Sequence, residues 1–252
     1  MIQVKRFYAF NELRNYSYLI YDDQTGHTWV IDPYEANPLI EYIKKNSLVL
    51  KGILNTHQHS DHIRGNRPLI DAFGAPVRKL KNAESIELET HHALETLDTP
   101  GHTMDHQVFI WKTENKPLAL FSGDTLFNAG VGNCKNGGDV GALFKTTQKL
   151  RDSLPDDTLL YPGHDYVQRN LEFSLQFEPE NATAQEFLRE NREIGADQRR
   201  PFTLGEEKLV NPFLRLHSEE LQHHFKMKKS VEETPSSERD LFIKLRGLRD
   251  QW

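Results

Sequence analysis

Seven imidazole and carboxylate side chains sit in four short segments of this chain of 252 residues, and each segment follows an apolar, strand-like run. Leu48 to Leu54 leads into Thr56-His57-Gln58-His59-Ser60-Asp61-His62, and Leu97 into Thr99-Pro100-Gly101-His102-Thr103. Leu118 to Phe121 leads into Gly123-Asp124-Thr125, and Leu159 to Tyr161 into Pro162-Gly163-His164. Strand ends at a sheet edge gather residues distant in sequence onto one rigid scaffold, so the pattern constrains the fold as much as the chemistry. Neutral imidazoles and carboxylates suit a borderline divalent ion, and seven are too many for one tetrahedral centre but fit two ions that share a ligand.

The remaining pattern agrees with a mixed α/β domain. Ile2 to Val4 with Phe7 to Phe10, Tyr16 to Tyr21 and Thr28 to Ile31 are strand-length, aromatic and β-branched, and turn residues such as Asp23 and Gly26 close them, which predicts an antiparallel meander. Leu39 to Ile43 has helical spacing after Asn37-Pro38, and Leu48 to Leu54 reads as a buried strand. Ser60 is placed to cap a helix running from Asp61 towards Phe73, leaving His57 and His59 in the preceding loop. Asp61 and His62, adjacent at that helix start, are expected to diverge and serve different ions. Beyond His164 helical spacing dominates, in Leu171 to Phe177, Ala182 to Glu193 and Ser237 to Arg249, the last with a Ser237-x-x-Asp240 capping pattern. We set the domains at 1–170 and 171–252.

Composition excludes several function classes. A formal net charge of -6 argues against general nucleic-acid binding, which needs a basic face. One cysteine, Cys134, cannot form an internal disulfide, and the N-terminal residues lack a signal-peptide core, so a reducing cytoplasm is expected. No apolar run approaches the roughly 20 residues that span a bilayer, so no membrane association is expected. Cys134 has no neighbouring histidine in sequence to activate it and reads as a loop cysteine. His106, four residues after His102, is placed either to orient a ligand or to pack behind the loop.

The His57 to His62 run, followed by His102, Asp124 and His164, resembles the metallo-β-lactamase superfamily. Within it the chain is similar to glyoxalase II, the hydroxyacylglutathione hydrolases. The local matches are Thr99 to Thr103, Gly123 to Phe127, His164-Asp165-Tyr166, Asn211-Pro212-Phe213-Leu214-Arg215 and Arg246-x-x-Arg249-Asp250-x-Trp252. The resemblance implies an α/β (α+β) architecture, a four-layer αββα metallo-β-lactamase fold with a smaller C-terminal helical domain that binds substrate. It implies two divalent ions, expected to be zinc with iron or manganese as alternatives. One would take His57, His59 and His102, the other Asp61, His62 and His164, with Asp124 bridging them. Asp61 and Asp124 would then be catalytic beside a metal-bridging hydroxide, because such a site lowers the pKa of bound water from about 15.7 towards 7.

The implied reaction is hydrolysis of S-(2-hydroxyacyl)glutathione, such as S-lactoylglutathione, in methylglyoxal detoxification. A thiol leaving group, with a pKa near 8.5, departs without a strong general acid, which favours a thioester over an amide. Lys135, Tyr166, Arg246 and Arg249 match substrate-binding positions, with arginine at 249 where lysine is usual. The sequence departs from the pattern at Asn133, where a basic residue is common, and at Lys135, where an aromatic one is. Tyr34 and Asp105 stand where glycine is frequent. The alternatives are a hydrolase of another thioester or a lactone, a mononuclear-iron persulfide dioxygenase, and a non-enzymatic metal-dependent binding or regulatory protein. The dioxygenase has no need of Asp61, His62 and His164 together. The glutathione thioester is the expected partner, and a monomer is the favoured state.

Overall fold

A computed structural model describes residues 1–89, 91–226 and 235–252. The chain separates into two compact units that interleave along the sequence: Met1–Asp98, Asp105–Gly123 and Tyr161–Asp165 form the first, and Thr99–Met104, Asp124–Leu160 and Tyr166–Trp252 the second.

The first unit begins with β1 (Ile2–Tyr8), β2 (Tyr16–Asp22) and β3 (His27–Ile31), paired antiparallel as the alternating aromatic and β-branched runs predict. Helix α1 (Ala36–Lys45) then crosses over to β4 (Val49–Leu54), which pairs parallel with β3 and completes a four-stranded sheet. A parallel neighbour requires such a crossover, and α1 buries Ala36, Leu39 and Ile43 in making it. Alternation along β2 sends successive side chains to opposite faces. Leu19 packs in a core with Leu39, Ile43, Ile53 and Leu69, whereas Tyr18 sets its ring edge-on to Phe121 and Tyr161, each at 5.4 Å.

The helix expected from Asp61 to Phe73 is two helices, α2 (Ser60–Ile63) and α3 (Asn66–Phe73). Gly65 interrupts it, because its N–H donates to the Pro33 carbonyl at 2.7 Å instead of to the preceding turn. Pro68 falls in the first turn of α3, where no intrahelical N–H is needed. His59, not Ser60, holds the capping position, with extended backbone and no side-chain cap bond. After α3 come β5 (Ser85–Glu89), β6 (His92–Asp98), β7 (Gln107–Thr113) and β8 (Lys116–Gly123), an antiparallel meander.

In the second unit β9 (Leu126–Phe127) and β10 (Gly130–Val131) form a small hairpin, followed by α4 (Val140–Ser153). Strand β11 (Leu159–Pro162) runs from this unit back into the first, where Tyr161 and Pro162 belong. Next are α5 (Val167–Ser174), α6 (Ala182–Glu193), β12 (Phe202–Thr203), α7 (Leu204–Val210), α8 (Glu219–Lys226) and α9 (Glu238–Arg249). The helical spacing read at Ala182 to Glu193 matches α6, and Ser237 Oγ accepts from the Asp240 N–H at 3.1 Å, as the capping pattern predicts. Val167, Leu171, Ala184, Leu188 and Val210 form one core, while Phe242 of α9 meets Phe144 and Phe213 edge-on. Among the described residues no helix is long and apolar enough to cross a membrane.

Candidate active site

Backbone bonds at strand ends assemble the first unit's share of the constellation. The Asp32 N–H donates to Leu54 O at 3.0 Å, and the Gln107 N–H to Thr56 O at 2.7 Å. The Gly163 N–H donates to Gly123 O at 2.9 Å and the Tyr16 N–H to Gly163 O at 2.8 Å. The ends of β3, β4, β8 and β11 therefore meet, and His57, His59, Asp61, His62 and His164 issue from them. Gly123 is required there, with φ of +47° and a backbone so close to its neighbours that a Cβ would lie 2.4 Å from Thr56 Oγ1 and 2.8 Å from His106 Nε2.

Three buried rings in this unit, those of His57, His62 and His164, are oriented by what their Nδ1 touches. His62 Nδ1 lies 2.9 Å from Asp32 Oδ2, and His164 Nδ1 lies 2.7 Å from Leu13 O. Both partners can only accept, so both rings in their neutral form carry the proton on Nδ1 and turn the Nε2 lone pair into the site. For His57 the inference takes one more step. Thr56 Oγ1 donates to Asp32 Oδ2 at 2.6 Å, which commits its only proton, so at 3.0 Å it accepts from His57 Nδ1. Asp32 thus orients His62 directly and His57 through Thr56, and its other oxygen accepts the Thr56 N–H at 2.7 Å. Asn15 Nδ2 donates to Asp61 Oδ2 at 3.0 Å. His106, buried, stacks on His57 with ring centroids 5.0 Å apart, so it packs against that ring.

The donor atoms that result form a compact set. Asp61 Oδ2, His62 Nε2 and His164 Nε2 make a triangle with edges of 3.3, 3.4 and 3.6 Å. Ligands at about 2.0–2.1 Å from a tetrahedral ion stand roughly 3.4 Å apart, so the triangle matches three corners of one coordination shell. Two imidazole lone pairs facing each other at 3.3 Å repel unless a cation lies between them, and the donor chemistry fits a divalent ion. Asp61 and His62 converge here, contrary to the divergence expected from their adjacency, because Asp32 swings the His62 ring back over the start of α2. His57 Nε2 and His59 Nδ1 lie 3.0 Å apart, a second pair of donors spaced as ligands are.

The second unit repeats this construction for two more residues. His102 Nδ1 lies 2.6 Å from Asn133 O, which turns its Nε2 to within 3.5 Å of Asp124 Oδ2. Gly132 is needed in this loop, since a Cβ there would fall 1.9 Å from Asp124 O and 3.0 Å from His102 Nδ1. Cationic residues approach the same loop from α9. Arg246 on α9 is buried and donates to Val131 O at 2.7 Å and Gly132 O at 3.4 Å, while its other nitrogen pairs with Asp250 at 2.9 Å. Exposed Lys135 reaches the Asp250 carbonyl at 3.2 Å. Arg249 donates to Asn170 Oδ1 at 3.3 and 3.1 Å. Burial, with help from the nearby Arg246 and Arg169 guanidiniums, pulls Arg249 down to about 10. Tyr166 precedes α5 and packs edge-on to Phe127 at 5.3 Å. Burial pushes the Cys134 thiol up to about 11, consistent with a loop cysteine that is no nucleophile.

The model of the metallo-β-lactamase superfamily matches residues 11–92, and that of the hydroxyacylglutathione hydrolase C-terminus matches residues 165–252. A hydroxyacylglutathione hydrolase of Polaromonas sp. is 40% identical over 99% of both chains, and one of Nitrosococcus oceani is 36% identical over the same shares. The chain belongs to the hydroxyacylglutathione hydrolase family. Its fold is that of the metallo-β-lactamases, as the superposition on a metallo-β-lactamase from Staphylococcus aureus shows, with a TM-score of 0.66 at 23% identity over 99% of this chain and 71% of that one.

Several residues that shape this family member's site were not singled out from its sequence. Asp32 follows a strand-like run outside every motif, and Asn15 lies 46 positions from the Asp61 it holds. Leu13 and Asn133 act through carbonyl oxygens, which no side-chain pattern announces. Thr56 could have been found, because a hydroxyl directly before a ligand histidine is a natural ring anchor. Arg169 joins the cationic group one turn before Phe173 and matches none of the motifs read.

Proposed function

We propose that this chain is a metal-dependent thioesterase that hydrolyses S-(2-hydroxyacyl)glutathione, with S-lactoylglutathione as its substrate, to a 2-hydroxy acid and glutathione. The observation that carries this reading lies in the second unit, where the Val131–Asn133 loop is shared by the His102–Asp124 pair and by Arg246, with Arg249 beside it. The loop beside the proposed ligands is thus held by Arg246, and Arg249 lies three residues further along α9. Crowded cations are stabilised by an incoming anion, and glutathione brings carboxylates.

In this reading His57, His59 and His102 hold one divalent ion, Asp61, His62 and His164 hold a second, and Asp124 is shared. The order of the motifs supports the assignment. Zinc is our choice of metal, on the nitrogen and oxygen donor set, with iron and manganese separated from it by metal analysis. When bound, such ions supply Lewis acidity and lower the pKa of water to near neutrality. The chain's own residues do the rest. Arg249, Lys135 and Tyr166 fix the glutathione moiety, and Arg246 secures the loop that carries Gly132 and Asn133. Asp61, steadied by Asn15, accepts a proton as water adds to the acyl carbon. The carbon–sulfur bond breaks and the thiolate leaves without a strong acid, because its conjugate thiol has a pKa near 8.5. We place the catalytic residues in 1–170 and the substrate-binding helices in 171–252, a division supported by the match of the family's C-terminal model to 165–252.

The test is release of thiol from S-lactoylglutathione by the purified, metal-loaded chain. Turnover that a chelator abolishes and zinc restores is the expected result. Equal turnover with and without chelator, or none with zinc bound, would overturn the proposal.

A further inference from the structure

Glu207 on α7 is completely buried, and the reaction described above makes no use of it. Its carboxylate receives three donors from two places. Asn128 Nδ2 donates at 2.9 Å and the Ala129 N–H at 2.8 Å, both in the turn of the β9–β10 hairpin. Asn211 Nδ2 donates to it at 3.1 Å, and also approaches Gly130 O at 3.1 Å and Phe127 O at 3.4 Å in the same hairpin. Asn211 is itself held by the Phe213 N–H at 3.1 Å, which gives the Asn211-Pro212-Phe213 motif a physical purpose. The turn needs outside support, because Ala129 adopts φ of +55°, a conformation a Cβ-bearing residue disfavours.

The hairpin passes this support on. Asn128 O accepts from Asn170 Nδ2 at 2.9 Å, and Asn170 Oδ1 accepts from Arg249. The amide has only one orientation that satisfies both partners, since a carbonyl can only accept and a guanidinium can only donate. Asn170 is buried as well, so the chain of bonds from Glu207 to Arg249 runs through side chains with little room to move.

We propose that Glu207 is a positioning residue for substrate binding: with Asn211 it fixes the Asn128-Ala129 turn, whose carbonyl sets Asn170, which in turn aims the Arg249 guanidinium. The proposal rests on the reading above in which Arg249 engages a carboxylate of the substrate. Every group facing Glu207 in this network is a donor, so Glu207→Gln keeps the size of the side chain but replaces an acceptor oxygen by an N–H, which either opposes a donor or reverses the Asn128 amide, and removes the charge from the remaining bonds.

The experiment uses the metal-loaded full chain with Glu207→Gln, Asn170→Ala, Arg249→Ala and the Glu207→Gln/Arg249→Ala double variant, each checked for a cooperative melt. Two substrates are compared, S-lactoylglutathione and the lactoyl thioester of N-acetylcysteamine, which carries no carboxylate. The Arg249 Nε–H resonance, assigned by its loss in Arg249→Ala, reports the guanidinium directly. Glu207→Gln should shift or broaden that resonance and raise KM for the glutathione thioester about tenfold, the size of one charge-assisted bond, with kcat within about twofold. KM for the carboxylate-free thioester should not move, Asn170→Ala should reproduce the pattern, and the double variant should be no worse than Arg249→Ala alone. An unaltered Arg249 resonance, an equal KM change with both thioesters, or additive effects in the double variant would overturn the proposal. If the resonance shifts while Arg249→Ala leaves KM unchanged, the positioning stands and it is the assignment of Arg249 to the substrate that fails.

Discussion

The two units hold their functional groups in different ways. In the first, His62, His164 and His57 are each tied at Nδ1 to an oxygen, and the atoms turned inward are all donors of electron pairs. In the second, burial depresses Arg249 and the neighbouring Arg246 and Arg169 add to it, with Asp250 as the acidic group paired to Arg246 and Lys135. One region concentrates lone pairs and the other concentrates positive charge. In the proposed scheme each receives its complement, a cation in the first and an anion in the second. Changes to the first unit's imidazoles, or to His102 and Asp124 in the second, should therefore destroy chemistry and metal affinity together, while changes to the second unit's guanidiniums should weaken binding and spare the chemical step.

That contrast can be broken most forcefully at His62. Its replacement by alanine removes a corner of the donor triangle, and kcat should fall by about a thousandfold or more with loss of metal measured by elemental analysis. Retention of full metal content and turnover would show that the triangle is not a ligand set. Next comes Glu207, which burial, opposed by its three donors and aided by the neighbouring charge of Glu206, raises to about 7. The folded chain then binds that proton more tightly than the unfolded one, so the stabilisation is complete below about 4.5 and declines as pH rises through 7. The melting free energy of the chelator-treated wild type, minus that of Glu207→Gln, should therefore drop by about 3 kcal/mol between those limits. A flat difference would mean that the carboxylate keeps its ordinary acidity.

Smaller effects sharpen the comparison. Asp32→Ala frees two ligand rings without removing either, and should lower metal affinity or activity about 10- to 100-fold, the range for groups that orient ligands. Arg249→Ala should raise KM for the glutathione thioester about tenfold at nearly constant kcat, the sign of lost uniform binding. Ser237→Ala, which removes only the α9 cap, should lower stability by about 1 kcal/mol in a denaturant titration and leave kcat unchanged.

What the sequence disclosed depended on how local each cause is. The seven candidate ligand positions could be marked because their chemistry is carried by side chains in short runs, and the α9 cap was legible because Ser237 and Asp240 are three residues apart. The break between α2 and α3 was not, because it depends on Pro33 bonding to Gly65 from a different segment. The Nδ1 anchors were hidden for the same reason, with 151 residues separating Leu13 from His164 and 31 separating Asn133 from His102. Arg246 shows the opposite limit. Its motif marks it for the substrate, and its guanidinium also bonds two backbone carbonyls and Asp250, a hold on the loop that no motif announces.

Asp32 has a consequence that reaches past the ring it touches. One carboxylate governs the aim of two imidazoles that the proposed scheme assigns to separate ions, so neither can be tuned alone by moving the end of β3. A substitution that improves the fit of one centre for a different element will disturb its neighbour by the same displacement. In that scheme metal preference is a property of the pair.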